Sequence, residues 1–200
     1  MKYPEFFDKV ERITLKDPLS EVLGTFEDGE ITFSYLDVVK CAGHSCPTVA
    51  GAYLMTKAAL KALYPNTLPI RGNIKVSVSG SKEEGVYGVI ASVISNITGA
   101  SDNGGFKGLN SNFSRNNLLN FGEKFEGVVK FERIDTNESV IVSYDHSVVV
   151  PNPKMNELMQ KMMQGICDKE EKKEFGKIWQ EKVCEILTNS KSYDGLLKIR

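Results

Sequence analysis

Apolar residues recur at helical spacing near the start of the chain. Phe6, Phe7, Val10 and Ile13 form one set, and Leu19, Val22 and Leu23 form another beyond Asp17-Pro18. This spacing predicts helix across residues 4–23, with Gly24 as its stop. The period changes at residues 31–39, where Ile31, Phe33 and Tyr35 alternate with Thr32 and Ser34, the pattern of a strand. Residues 48–64 read as helix. Ala50, Ala52, Ala58, Ala59 and Ala62 keep that helix slim, which predicts close approach to its neighbours and a central, buried place. Ile74, Val76 and Val78 predict a strand within 70–79. Val86, Val89, Ile90, Val93, Ile94 and Ile97 form a helical stripe that ends at Thr98-Gly99.

Residues 100–122, rich in glycine and asparagine, read as a long loop. Residues 124–134 and 139–150 read as a strand hairpin around Asp135-Thr136-Asn137-Glu138, and His146 falls in its second arm. The helical period returns over 154–189 in two stripes. One contains Met155, Leu158, Met159, Met162 and Met163, and the other Phe175, Ile178, Trp179, Val183, Ile186 and Leu187. The expected fold is α+β: an antiparallel-rich sheet packed with a central small-residue helix, plus a C-terminal helical hairpin. Residues 1–153 form the expected body. Residues 154–200 form the hairpin, packed on the same body or on a partner chain.

Composition narrows the function classes. Two hundred residues with 41% hydrophobic and 26% charged side chains suit a folded domain. The formal net charge of −1, without a long basic block, argues against nucleic acid as a partner. The N-terminal residues carry no apolar signal core, and no apolar run suits a bilayer span, so the expected partners exclude a membrane and the expected location is the cytoplasm. In that reducing compartment the four cysteines are expected as thiols or ligands rather than disulfides.

The candidate chemistry gathers in Lys40-Cys41-Ala42-Gly43-His44-Ser45-Cys46-Pro47, which holds two of the four cysteines and one of the two histidines. Thiolate and imidazole are ligands for zinc, nickel, iron or copper, and C-x-x-H-x-C spacing lets a tight turn present more than one of them. Three groups at most come from this segment, which suits an open site better than a closed structural one. A second reading makes Cys46 a nucleophile or redox thiol, because free backbone N–H groups at a helix start favour thiolate, with His44 as its neighbour. A third reading is packing alone. His146, with Asp145 before it, is a further candidate ligand. Cys167, Cys184 and the methionine stripe read as packing, with a dimer interface as an alternative role for the methionines.

Gly43-His44-Ser45-Cys46-Pro47, followed by a helix with Gly51 and Met55, resembles the opening motif of the FmdE family, named for formylmethanofuran dehydrogenase. That family's second block resembles Ile97-Thr98-Gly99-Ala100 and the glycine-containing turn at 105–109. The resemblance implies an α+β domain over 1–153 that binds a transition metal, zinc first and nickel or iron next. It also implies a homodimer, a small-molecule ligand, and an association with molybdenum or tungsten enzyme systems as an accessory or metal-dependent factor. His44 and Cys46 occupy the family's ligand positions. Ala42 and Ala100 stand where the family often has a histidine and a cysteine, and Thr48 stands where it has a glycine. Cys41, Asp102, Asp145 and His146 are the candidates for the vacated roles.

Overall fold

The structure is a computed structural model that describes residues 2–110 and 112–200. Met1 and Ser111, which belong to the N-terminal and long-loop readings, lie outside the described residues. Among these residues a 3-10 turn at Glu5–Lys9 precedes β1 (Ile13–Lys16), α1 (Pro18–Val22), β2 (Glu30–Phe33) and α2 (Tyr35–Ala42). Next come α3 (Pro47–Leu63), β3 (Ile74–Val78), α4 (Tyr87–Thr98), β4 (Leu119–Phe121), β5 (Val129–Arg133) and β6 (Ser139–Tyr144). The chain closes with α5 (Lys154–Met163), α6 (Lys169–Thr188) and β7 (Leu197–Ile199). The protein is α+β. β1 and β2 form an antiparallel pair, and a mixed five-stranded sheet runs in the order β4-β3-β5-β6-β7. In that sheet β3 pairs with β4 in parallel, and every other pairing is antiparallel.

Three expectations are corrected. Residues 4–23 do not form one helix. Ile13 and Leu15 are buried in alternation with half-buried Thr14 and Lys16, and Ile13 pairs with Phe33 across the two-stranded sheet. The helical spacing from Phe6 to Ile13 is thus a sum over two elements. A new helix begins only at Pro18, where the Asp17 carboxylate accepts the N–H groups of Leu19 and Ser20.

The strand expected over 31–39 stops at Phe33. Ser34 and Asp37 close a capping box, each side chain accepting the other's backbone N–H, and α2 starts there with Tyr35 and Val38 buried one turn apart. Local capping outweighs the short alternating pattern. His146, expected in a strand, lies in a 3-10 turn (His146–Val148) that Asp145 caps by accepting the Ser147 N–H at 2.8 Å. In the methionine stripe Met155 and Leu158 are buried, but Met163 is 83% exposed, so that stripe turns away from the core at its C-terminal end.

α3 runs through the main core, against α2, α4, α6 and β6. Ala50, Gly51, Ala52 and Ala59 are buried along it. Gly51 has a specific reason: the Tyr144 ring of β6 occupies the space in which its Cβ would stand. Glycine inside a helix costs about 1 kcal/mol relative to alanine; here the closely packed aromatic ring offsets that cost. α6 lies on α3 through Val183, Ile186 and Leu187, and a smaller cluster of Met155, Leu158 and Ile178 joins α5 to α6. β7 returns the chain to the sheet beside β6, a strand that the helical pattern at the C-terminus does not announce.

A buried charge cluster ties distant segments together. The Asp17 carboxylate accepts from Arg71 Nη1 at 2.9 Å and from Arg115 Nη2 at 2.6 Å. This links the β1-to-α1 corner, the approach to β3 and the long loop. The Arg115 guanidinium fills the space a side chain at Gly72 would need, and Gly72 also sits at φ +83°.

Candidate functional site

The turn that carries the candidate ligands joins two helices, α2 and α3, rather than a strand and a helix. Gly43 ends α2 in the left-handed region at φ +76°, and its N–H returns to the Val39 carbonyl. The chain then reaches Cys46 in an extended conformation. Cys46 is the N-cap of α3, and its Sγ accepts the Val49 N–H at 3.4 Å. Pro47 follows at the first helical position, where its missing N–H has no partner to lose.

Ser45 anchors the middle of the turn. Its carbonyl accepts from Trp179 Nε1 at 3.0 Å and from Gln180 Nε2 at 3.1 Å, both on α6. Its hydroxyl is 3.0 Å from the Tyr35 hydroxyl on α2. On the far side the Tyr144 hydroxyl donates to the Pro47 carbonyl at 2.8 Å. Burial pushes the Tyr35 phenol well above its usual range, against the opposing hydrogen bond from Ser45 and with Cys46 adding to the rise. Burial first, then the nearby Tyr35, Cys46 and Asp145, push the Tyr144 phenol up as well. Both hydroxyls therefore remain protonated across the ordinary pH range, and they bond to Ser45 and Pro47, the residues on either side of Cys46.

His44 is exposed, and its Nδ1 lies 3.0 Å from the Ala42 carbonyl, which accepts from it in the Nδ1–H tautomer. This leaves Nε2 as the ring's free nitrogen. Cys41, also exposed, shares a cleft of about 200 Å³ with His44. The opposite wall of that cleft comes from Val89, Ser92, Val93 and Asn96 of α4. Cys46 is half-buried. His146 lies beyond Tyr144, with the two ring centroids 6.0 Å apart, and is exposed. The structure thus places Cys41 with His44, Cys46 between the residues that bond to Tyr35 and Tyr144, and His146 beside Tyr144.

The remaining candidates have other engagements. Asp102 pairs with Lys82 at 3.1 Å and accepts the Gly104 N–H. Asp145 caps the turn after β6. Thr98-Gly99-Ala100 lies against Arg71 and Arg115: the Thr98 carbonyl accepts the Gly72 N–H, and Thr98 and Ala100 are fully buried. Cys167 is buried near α5, and Cys184 is half-buried beside Thr188.

Among the described residues no three His, Cys, Asp or Glu side chains come together in a group that could hold a metal ion. The donor types on the turn fit a transition ion, and the Nδ1-anchored imidazole fits a ligand histidine, whose second nitrogen is ordinarily tethered in this way. The described residues of one chain do not bring a closed shell together around such an ion.

Sequence reasoning misses Tyr35, Tyr144, Trp179 and Gln180. The alternating pattern puts Tyr35 in a strand, and the helical period puts Trp179 in an apolar stripe. Only the Ser34-to-Asp37 capping spacing could move Tyr35 onto a helix, and nothing local announces that Trp179 reaches Ser45, 134 positions away.

Among the described residues no helix is long and apolar enough to cross a membrane. No curated protein matches the chain. The family model described as FmdE, molybdenum formylmethanofuran dehydrogenase operon, matches residues 41–193, from Cys41 through Tyr193. That match covers more than half of the chain and takes in the turn, both core helices, the five-stranded sheet except β7, and α5 and α6; the chain belongs to the FmdE family.

Proposed function

We propose that this FmdE-family chain is a metal-binding domain with an open site, acting as an accessory or metal-dependent factor beside a redox or molybdenum/tungsten enzyme system. His44 and Cys46 are the chain's own first donors, with Cys41 and His146 as lesser ones. The rest of the shell comes from outside the chain, from a second copy in a homodimer or from a small-molecule ligand. The observation that carries this reading is the exposed His44 side chain, with Nδ1 on the Ala42 carbonyl and Nε2 left as the other ring nitrogen. The Val49 N–H directed at Cys46 Sγ supports it by holding the sulfur at the start of α3. A bound transition ion, zinc first and nickel or iron next, would supply Lewis acidity towards whatever fills its open positions.

The test is metal analysis of protein purified without a tag, as wild type, His44→Ala and Cys46→Ser. Stoichiometric metal in the wild type and its loss in both variants is the expected result. Unchanged metal content in both variants overturns the reading.

The Cys46 N-cap contact also favours a second reading, a thiol enzyme or redox protein that uses Cys46 with His44. It expects Cys46 to be alkylated near neutral pH faster than a free cysteine in solution, and Cys46 labelling no faster than that removes it.

A further inference from the structure

A second concavity, of about 500 Å³, opens on the side of the turn that faces α2 and the N-terminal residues. Its lining touches the turn at Gly43 and Ser45 but includes neither His44 nor any cysteine. Tyr3, Leu36 and Val39 give it apolar walls, and Lys2 and Lys40 add two ammonium groups. Gln180 reaches it from α6. The Gln180 Nε2 is committed to the Ser45 carbonyl, and its Oε1 is buried without a hydrogen-bond partner.

We propose that this pocket binds a small amphipathic acid, with an apolar body against Tyr3, Leu36 and Val39 and a carboxylate at Lys40 and Lys2. The volume lies in the range of small-molecule sites, about 300–1,000 Å³, and apolar walls with a few placed polar groups are their usual construction. Two features favour an acid over a neutral or basic ligand. Both charged side chains lining the pocket are cations. Lys40 meets Asp37 Oδ1 only at the long distance of 3.7 Å, while Asp37 Oδ2 is held by Ser34 at 2.6 Å. The exposed ammonium of Lys40 is therefore free to turn from a long contact with Asp37 to a closer one with a ligand. This site is independent of the metal reading, since neither candidate donor lines it.

The experiment titrates the full chain with sodium decanoate below its micelle concentration, followed by calorimetry and by the emission of Trp179, the neighbour of Gln180. 1-Decanol serves as the uncharged counterpart. Saturable binding of one decanoate per chain is expected, with decanol weaker by ~10-fold. Lys40→Met should weaken decanoate by ~3–10-fold while leaving decanol unchanged, and Lys40→Glu should weaken decanoate further. Lys40 is exposed, so both variants are expected to fold, which circular dichroism verifies. Metal content should be the same in all three proteins. The proposal is overturned by decanoate that does not saturate a single site up to about 1 mM, by equal affinity for decanol, or by wild-type decanoate affinity in Lys40→Glu.

Discussion

The Tyr144 hydroxyl donates to the Pro47 carbonyl at 2.8 Å, across 97 positions of sequence, and its ring rests on α3 where Gly51 has no side chain. The contact holds the end of β6 against the first turn of α3, directly beside Cys46. The geometry of the candidate site therefore depends on a glycine one turn into the helix and on a phenol at the end of a strand.

Gly51→Ala should destabilise the protein. Alanine gains up to about 1 kcal/mol of helix propensity, but its Cβ forces the ring away at a cost of about 1–3 kcal/mol, and the hydrogen bond worth about 1 kcal/mol goes with it. A net loss of about 1–3 kcal/mol is expected from urea unfolding. Tyr144→Phe should cost about 1 kcal/mol, and combining Gly51→Ala with Tyr144→Ala should cost less than the sum of the two single changes. Additive losses would show that the ring does not set the constraint at position 51.

Acid should weaken the fold partly through Asp17. Burial alone would raise its carboxyl, but the hydrogen bond from Arg71 and the charge of Arg115 outweigh it and hold the group below the usual carboxylate range. A lowered folded value means that the stabilisation is fully present above the unfolded value of about 3.9 and is lost as pH falls through the folded one. Asp17→Asn leaves two guanidinium groups facing each other and should cost about 3–5 kcal/mol near neutrality. The gap between wild type and Asp17→Asn in urea unfolding should shrink below about pH 4. A gap that stays constant across this range would remove Asp17 from the acid response.

Trp179 is the chain's one tryptophan, and its indole N–H is bonded to the carbonyl of Ser45, the residue between His44 and Cys46. Its emission should therefore report events at the turn. Titration with nickel should change Trp179 emission saturably in the wild type and leave it flat in His44→Ala and Cys46→Ser. An equal change in all three would place the metal elsewhere.

Removal of metal should leave the protein folded. His44 and Cys41 are exposed and Cys46 only packs half-buried at the edge of the core, whereas the core around α3 is built from buried apolar side chains. Treatment with a chelator should lower the melting temperature only by the linkage term, about 3 kcal/mol for metal held at about 100 times its Kd, and the helical circular dichroism should persist. Unfolding on chelation would mark the metal as structural.

Long, strongly periodic segments are legible from the residues alone. α3 and α4 follow from spacing over three or more turns, β3 and the β5–β6 hairpin from period-two runs with turn residues between them, and the Gly43-to-Pro47 motif from its ligand types. Short segments are not legible. The apolar spacing from residue 4 to 23 is compatible with one helix, and only pairing of Ile13 with Phe33 makes it a turn, a strand and a new helix. Residues 31–39 alternate well enough for a strand, but the Ser34–Asp37 capping box and the burial of Tyr35 and Val38 choose a helix after four strand residues.

By itself, the sequence determined the α+β class, the buried small-residue helix and the identity of the candidate donors, because periodicity and side-chain chemistry are local properties. Tertiary structure alone decided how those donors are divided: Cys41 with His44 against α4, Cys46 between Ser45 bonded to Tyr35 and Pro47 bonded to Tyr144, and Ser45 under Trp179 and Gln180. Each of those relations, apart from the nearness of Cys41 to His44, joins residues at least ten positions apart through packing or hydrogen bonds, and local patterning carries no record of which distant segments will pack together.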